Sequence, residues 1–243
     1  MNRTIIIIPS RMSASRLKDK PLLEINRLPI ICHVLNKAKE TGLESFVATE
    51  DEEIADVVKK NGGEAILTGK HKTGSDRIFE AFIKLKKKNI DYILNLQGDE
   101  PMINPNDVLN LNKQMINSES DIGTLASEIK DEKIFNNNNI VKIVTEKKLD
   151  YNNFVKAVSF SRKIHTKVKN IYHHIGIYCY KVSILEKFIN LSQSKGEKEN
   201  NLEQLRAIDN NIEINVALAK SSPIGVDTME DYLDLKKIME YKS

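Results

Sequence analysis

Cysteine is scarce in this chain of 243 residues: only Cys32 and Cys179, far apart and in no metal-binding spacing. That excludes a disulfide-stapled framework and points to reduced thiols in a cytosolic protein. Long apolar runs are lacking too. The opening MNRTIIIIPSR holds four apolar residues in succession, fewer than a signal peptide needs, and nothing approaches the roughly 18 of a membrane span. The expectation is a soluble cytoplasmic protein without a membrane partner. Nor does one sign of charge prevail. Lys and Arg total 37 against 34 Asp and Glu, a net +3, which argues against a nucleic-acid partner. A basic cluster here matters by its location.

The common nucleotide-binding loops are missing as well. No glycine-rich dinucleotide fingerprint follows the first apolar run. GGEAILTGKH, residues 62–71, comes near to a Walker A loop, but the spacing is one residue too long and His71 replaces the required Ser or Thr. No internal repeat is present.

What the chain does contain is alternation. Thr4–Ile8 is a β-branched run, as in a strand covered on both faces. Pro29 suits the first turn of a helix whose apolar positions, Ile30 to Ala38, end before Gly42. Phe46–Thr49 reads as a strand, Asp51 as the cap of a helix through Asn61, Ala65–Leu67 as a strand, and Ser75 as the cap of a helix to about Lys88. Tyr92–Leu96 and a helix from Pro105 to about Asn117 complete four strand–helix alternations, the pattern of a largely parallel sheet.

Later the rhythm breaks. Ile122–Glu128, Ile140–Thr145, Ala157–Phe160 and Ile175–Tyr180 read as strands without regular helices between them. Helical patterns return at Ser183–Asn190 and Leu202–Asp209, followed by a strand at Ile214–Ala219 and a helix at Met229–Glu240. Asn136–Asn139 and Gln193–Asn200 read as solvated loops. The expected fold class is α/β, a Rossmann-like mixed sheet with helices on both faces and an inserted antiparallel region at about 122–180, all in a single domain over 1–243. The length suffices to bury about three quarters of the unfolded surface.

Ligands of open α/β sheets bind at the carboxyl ends of strands. There IIIIPSRMSASRLKDKP delivers Arg11, Arg16, Lys18 and Lys20 with a single anion, Asp19. Such a loop is either a solvated surface or a cradle for polyphosphate, with Ser10, Ser13 and Ser15 as further donors. NLQGDEP, residues 95–101, brings Gln97, Asp99 and Glu100 to the same edge, where adjacent carboxylates call for a cation such as Mg²⁺. IGVDT supplies Asp227, a further carboxylate or a helix cap. His173 and His174 in HHIGIYCY, Arg162 in SFSR, and Glu203 and Gln204 in LEQLR say little alone.

Together, IIPSRMSASRLKDKPL, VATED, KTGSDRI, NLQGDEP, FSR, HIGIYCY, LEQLR and GVDT resemble, in order and over nearly the whole chain, the 3-deoxy-manno-octulosonate (KDO) cytidylyltransferase family. The resemblance implies a nucleotide-diphospho-sugar transferase fold and a homodimer. It also implies Mg²⁺-dependent transfer of CMP from CTP to KDO, for lipopolysaccharide synthesis. By it, Arg11, Arg16 and Lys20 hold the CTP phosphates, Gly74 and Ser75 lie near the nucleotide, and Asp99 and Asp227 bind Mg²⁺. Gln97, Arg162, His174, Tyr178, Glu203 and Gln204 line the acidic-sugar pocket, and Lys20, Arg11, Arg16 and Asp99 form the catalytic set. This chain departs from the family at Asp19, at Arg27 of an Asn-Gly turn and at Cys179, where glycines are usual. The rival readings are a cytidylyltransferase for 8-amino-KDO or a nine-carbon acid, a glycosyltransferase of the same fold class, and a CTP-binding sensor.

Overall fold

The computed structural model describes residues 3–13, 17–163, 168–223 and 225–241, the side chains of 133 and 134 excepted. Arg16 and Ser15 therefore lie outside the described residues. Two compact units emerge, Arg3–Pro105 with Pro223–Ser243, and Asn106–Ser222. The antiparallel region expected at about 122–180 falls inside the second.

In the first unit the chain runs β1 (Thr4–Ser10), β2 (Glu24–Ile25), β3 (Leu28–Pro29), α1 (Ile30–Glu40), β4 (Glu44–Thr49), α2 (Glu52–Lys60), β5 (Ala65–Leu67), α3 (Gly74–Leu85) and β6 (Tyr92–Asn95). Its strands lie in the order β5–β4–β1–β6, all parallel. Central β1 is covered on both faces, so Ile5 to Ile8 are fully buried, which explains a run without polar alternation. Ser10 pairs with Thr49, and Ile7 with Asn95, so Arg11, Glu50 and Leu96 leave the sheet at one edge.

Several helix starts differ from expectation. Thr73, not Ser75, caps α3, its Oγ1 accepting from the Asp76 N–H at 3.2 Å, so Ser75 falls inside the first turn and is buried. The same helix stops at Leu85 because Lys86 turns left-handed, with φ at 50°. Asp51 occupies the N-cap position of α2 as expected, but its side chain makes no capping bond; its Oδ2 accepts the Met12 N–H at 2.8 Å and ties the basic loop to the helix. The helix Met229–Glu240 is capped by Thr228 in a reciprocal arrangement with Asp231, which leaves Asp227 out of the cap. That helix packs Leu235 on Leu17, Ile25, Ile30 and Val226.

Two of the unusual substitutions sit where the backbone is left-handed. Asp19 has φ 55°, and Asn26 and Arg27 have 51° and 61° in the tight β2–β3 turn. Both central residues of such a turn need positive φ, a conformation that glycine adopts without the strain Arg27 carries.

The second unit contains α4 (Pro105–Ser118), β7 (Ile122–Ser127), α5 (Glu132–Asn136), β8 (Lys142–Thr145), β9 (Phe154–Ser161), β10 (Ile171–Lys181), α6 (Val182–Ile189), α7 (Lys195–Asn200), α8 (Leu205–Asp209) and β11 (Ile214–Leu218). The strand order β10–β7–β11–β9–β8 closes on itself through β8–β10 pairing. All pairs are antiparallel except β11–β7. The stretch Gln193–Asn200, expected as a loop, contains α7. Ser194 and Glu197 form a capping box, and Glu197 also takes two hydrogen bonds from Arg206, at 2.8 and 2.6 Å, in a buried pair. Asn136 likewise belongs to α5 rather than to a loop, and the expected helix from Leu202 begins only at Leu205. Among the described residues no helix is long and apolar enough to cross a membrane.

Candidate active site

At the carboxyl edge of the first unit's sheet lies a cleft of about 290 Å³, toward the small end of ligand sites. Arg11, Lys20, Gly74, Gln97, Asp99 and Asp227, six of the residues singled out from sequence, line it together. Ser75 adjoins Gly74 and is buried. Its hydroxyl and that of Ser10 have no hydrogen-bond partner among the described residues. Buried hydroxyls left without a partner beside a cleft are the condition a bound polar ligand relieves. The floor is tight: a Cβ on Gly98 would sit 2.9 Å from the Pro9 carbonyl oxygen, so a side chain there collides with backbone.

Lys20 organises the charge. Its Nζ donates to Asp99 Oδ2 at 2.6 Å and to the Val226 carbonyl at 2.8 Å, and stands 3.4 Å from Asp227 Oδ1. One ammonium thus bridges both predicted metal carboxylates. Two carboxylates with a backbone carbonyl form an all-oxygen set suited to a hard cation that takes its remaining ligands from phosphate and water. Among the described residues no group of three or more His, Cys, Asp or Glu gathers, here or elsewhere, so the set at Lys20 is limited to two carboxylates and a carbonyl. The neighbouring-carboxylate problem raised by Asp99-Glu100 is solved twice over. Lys20 pairs with Asp99, while burial, and then the Asp99 charge, push the Glu100 carboxyl up to about 8, so it is neutral at pH 7.

In the second unit, β10 carries a bulge. Ile175 pairs with Leu125 but Tyr178 with Thr124, so four residues of β10 span two of β7. Regular strand residues four apart would be about 13 Å apart; here the His174 and Tyr178 rings come to 5.5 Å. The Thr124 hydroxyl donates to the Ile177 carbonyl at 2.8 Å in the bulge, and its oxygen accepts from His174 Nε2 at 3.1 Å. That network assigns the proton to Nε2. Burial, then the charge of His173, push the His174 pKa down to about 3, so the ring is neutral. Tyr178 Oη is buried without a hydrogen-bond partner among the described residues. Burial, then Tyr180 and Glu203, raise the Tyr178 pKa well above its usual value, which places the Glu203 carboxylate near the ring. Gln204 follows Glu203 at the start of α8. Arg162, at the end of β9, donates from Nη1 to the Asn139 carbonyl at 2.8 Å. The predicted residues therefore divide between the units: Arg11, Lys20, Gly74, Gln97, Asp99 and Asp227 line one cleft in the first, while in the second His174 and Tyr178 come together beside Glu203, and Arg162 is held at the Asn139 loop.

The profile of the Cytidylyltransferase family matches residues 5–214. This chain belongs to that family. It is 40% identical to the 3-deoxy-manno-octulosonate cytidylyltransferase of Nitrobacter winogradskyi, over 98% of this chain and 94% of the relative. The enzyme of that name from Bartonella tribocorum is also 40% identical, over 97% and 98%. Among solved structures, CMP:2-keto-3-deoxy-manno-octonic acid synthetase complexed with CTP superposes over the whole of both chains, with a TM-score of 0.89 and 33% identity. UDP-glucose pyrophosphorylase, at TM-score 0.72 and 13% identity, shares the fold alone. The resemblance expected from the motifs thus holds over nearly the full chain, and so does the nucleotide-diphospho-sugar transferase fold. The protein is a nucleotidyltransferase.

Sequence reasoning missed three residues that line the cytidylyltransferase cleft: His71, Thr73 and Arg77. His71 was considered only as the residue that spoils a Walker A loop. It hydrogen-bonds Glu80, which also accepts the Gly69 N–H. Burial pushes the Glu80 carboxyl up, but hydrogen bonds from Lys84, His71 and Gly69 outweigh it and hold the group at about 2. Arg77 is buried, donating to Thr68 Oγ1 at 2.7 Å and to Glu50 at 2.9 Å. A signal for the last two lay in KTGSDRI, where Thr73 and Asp76 have capping spacing and Arg77 follows on the same turn.

Proposed function

We propose that this protein transfers CMP from CTP to KDO, giving CMP-KDO and pyrophosphate, and that it does so with Mg²⁺ as a homodimer in the cytoplasm. The observation that carries the reading is the cleft at the carboxyl edge of the parallel strands, where Arg11 and Lys20 meet Asp99 and Asp227. The near-full-length likeness to enzymes named for this substrate supports it.

The anomeric hydroxyl loses its proton to solvent and attacks the α-phosphorus, the bond to the β-phosphate bridging oxygen breaks, and pyrophosphate leaves with the negative charge that develops there. Arg11 and Lys20 stabilise that charge, and positioned cations in a partly dry cleft do so at little reorganisation cost. Lys20 is poised to exchange its carboxylate partners for phosphate oxygens when CTP enters. Asp99 and Asp227 would hold Mg²⁺, which supplies Lewis-acid neutralisation of the phosphates. The unpartnered Ser10 and Ser75 hydroxyls give the nucleotide two donors. For the acidic sugar, Arg162 offers a guanidinium to the carboxylate. His174, Tyr178, Glu203 and Gln204 offer hydrogen bonds to its hydroxyls, with His174 acting as a neutral group.

Pyrophosphate release from CTP with Mg²⁺, compared among KDO, 8-amino-KDO, sialic acid and no sugar, tests the proposal. Release with KDO alone is expected. Release with another acid instead would move the substrate, and CTP binding without turnover would favour a sensor.

A further inference from the structure

Lys142 is the largest side chain that the described fold buries completely. It lies in β8, paired with Ser161 of β9 on one side and His173 of β10 on the other. Its Nζ donates to the carbonyls of Asn137 at 2.6 Å and Arg162 at 2.9 Å. Arg162 reaches back to the same loop through its bond to the Asn139 carbonyl. Lys142 and Arg162 therefore hold one loop between them, and Lys142 also fixes the backbone of Arg162.

Charge around this ammonium is unbalanced. An ammonium has three N–H donors, and two are accounted for. Lys142 makes no ion pair among the described residues. Burial, and then the Arg162 charge, push the Lys142 pKa down, and burial followed by Lys142 does the same to His173. His173 itself bonds Ser222 Oγ at 2.9 Å, not a carboxylate. Buried charge without a counter-ion opposes folding, and the two bonds to backbone carbonyls offset only part of that cost. Stability is thus a poor reason for a lysine here.

We propose that Lys142 is a positioning residue for the acidic-substrate pocket, fixing the Arg162 backbone and setting with it a positive locus that an entering carboxylate neutralises. This rests on the reading that Arg162 meets the acidic sugar.

The wild-type enzyme is assayed first, because failure to use any acidic sugar sinks that underlying reading whatever Lys142 does. With the accepted acid known, Lys142→Met is expected to keep the fold and to bind CTP unchanged. Its KM for the acid should rise about 5- to 30-fold. Combined with Arg162→Ala, it should be no worse than Arg162→Ala alone, since it acts through that residue. An unchanged KM, or fully additive losses, overturns the proposal. Should the Met variant not fold, Lys142→Gln keeps two N–H donors without the charge; a raised KM there supports the proposal, whereas a normal KM, or failure of both variants to fold, overturns it.

Discussion

Acid should unfold this protein in part through His174. The ring is buried, takes the Nε2–H tautomer against Thr124, and has its pKa pushed from 6.5 to about 3 by burial and then by His173. A histidine with a depressed folded pKa binds fewer protons in the native chain than in the unfolded one. Its stabilisation is therefore complete above about pH 6.5 and is lost progressively as the pH falls toward about 3. At pH 5, about 1.5 below the ordinary value, the loss is about 2 kcal/mol at about 1.4 kcal/mol per pH unit. That figure barely depends on the folded value so long as it lies well under 5. The assay is urea unfolding at pH 7.5 and pH 5.0 for wild type and His174→Gln, which keeps an N–H donor for Thr124. Carboxylates and His173 titrate in both proteins and cancel in the comparison. Wild type should lose about 2 kcal/mol more than the variant between the two pH values. Equal losses would show that His174 is not held neutral, and the assignment of a hydrogen-bonding rather than cationic role in the sugar pocket would go with it.

Further expectations follow from the same geometry. Lys20→Met should bind Mg²⁺ at least about tenfold tighter without nucleotide, by calorimetry, because a competing cation leaves Asp99 and Asp227; turnover should fall by orders of magnitude, and unchanged metal affinity would contradict the bridging role. Glu197→Ala should cost about 3 kcal/mol in urea unfolding, because it leaves the buried Arg206 charge with Glu203, 3.7 Å away, in place of its two-bond partner. Burial raises the Glu197 pKa, but bonds from Arg206 and Gln193 outweigh it and lower it, so this pair stabilises above the ordinary carboxylate range and fails as the pH drops through the depressed value. Arg27→Gly should raise the melting temperature by about 2–3 °C, since it relieves a left-handed non-glycine residue in a tight turn. A lower melting temperature would mean that the arginine side chain contributes more than its backbone costs.

How much of this was legible in the sequence depended on how far each feature's cause lies from it along the chain. The Ile5–Ile8 run announced a strand buried on both faces because burial of that kind erases polar alternation locally. The chemistry-bearing motifs were legible for a similar reason: polyphosphate chemistry requires cations and carboxylates at strand ends, and Arg11, Lys20, Asp99 and Asp227 do share one cleft. The cap of α3 was read two residues off because several polar residues adjoin its start, whereas Asp51 was placed correctly at the start of α2. Thr73 wins over Ser75 through its reach to the Asp76 N–H, and Asp51 is drawn away by Met12. The capping box of α7 was written in the sequence as Ser194 and Glu197, yet the polar stretch around it reads as loop until the distant Arg206 supplies a buried partner. The β10 bulge was beyond reach, because it exists only as a mismatch with β7, fifty residues earlier at Thr124 and His174. Lys142 shows the limit most sharply. In the expected strand Ile140–Thr145 nothing in the local pattern marks it as buried. Only the closure of β8 onto β10 as well as β9 encloses it, and that closure follows from pairings no local pattern contains. Residue types that chemistry demands can be found from sequence, whereas the partners that tune them come from register.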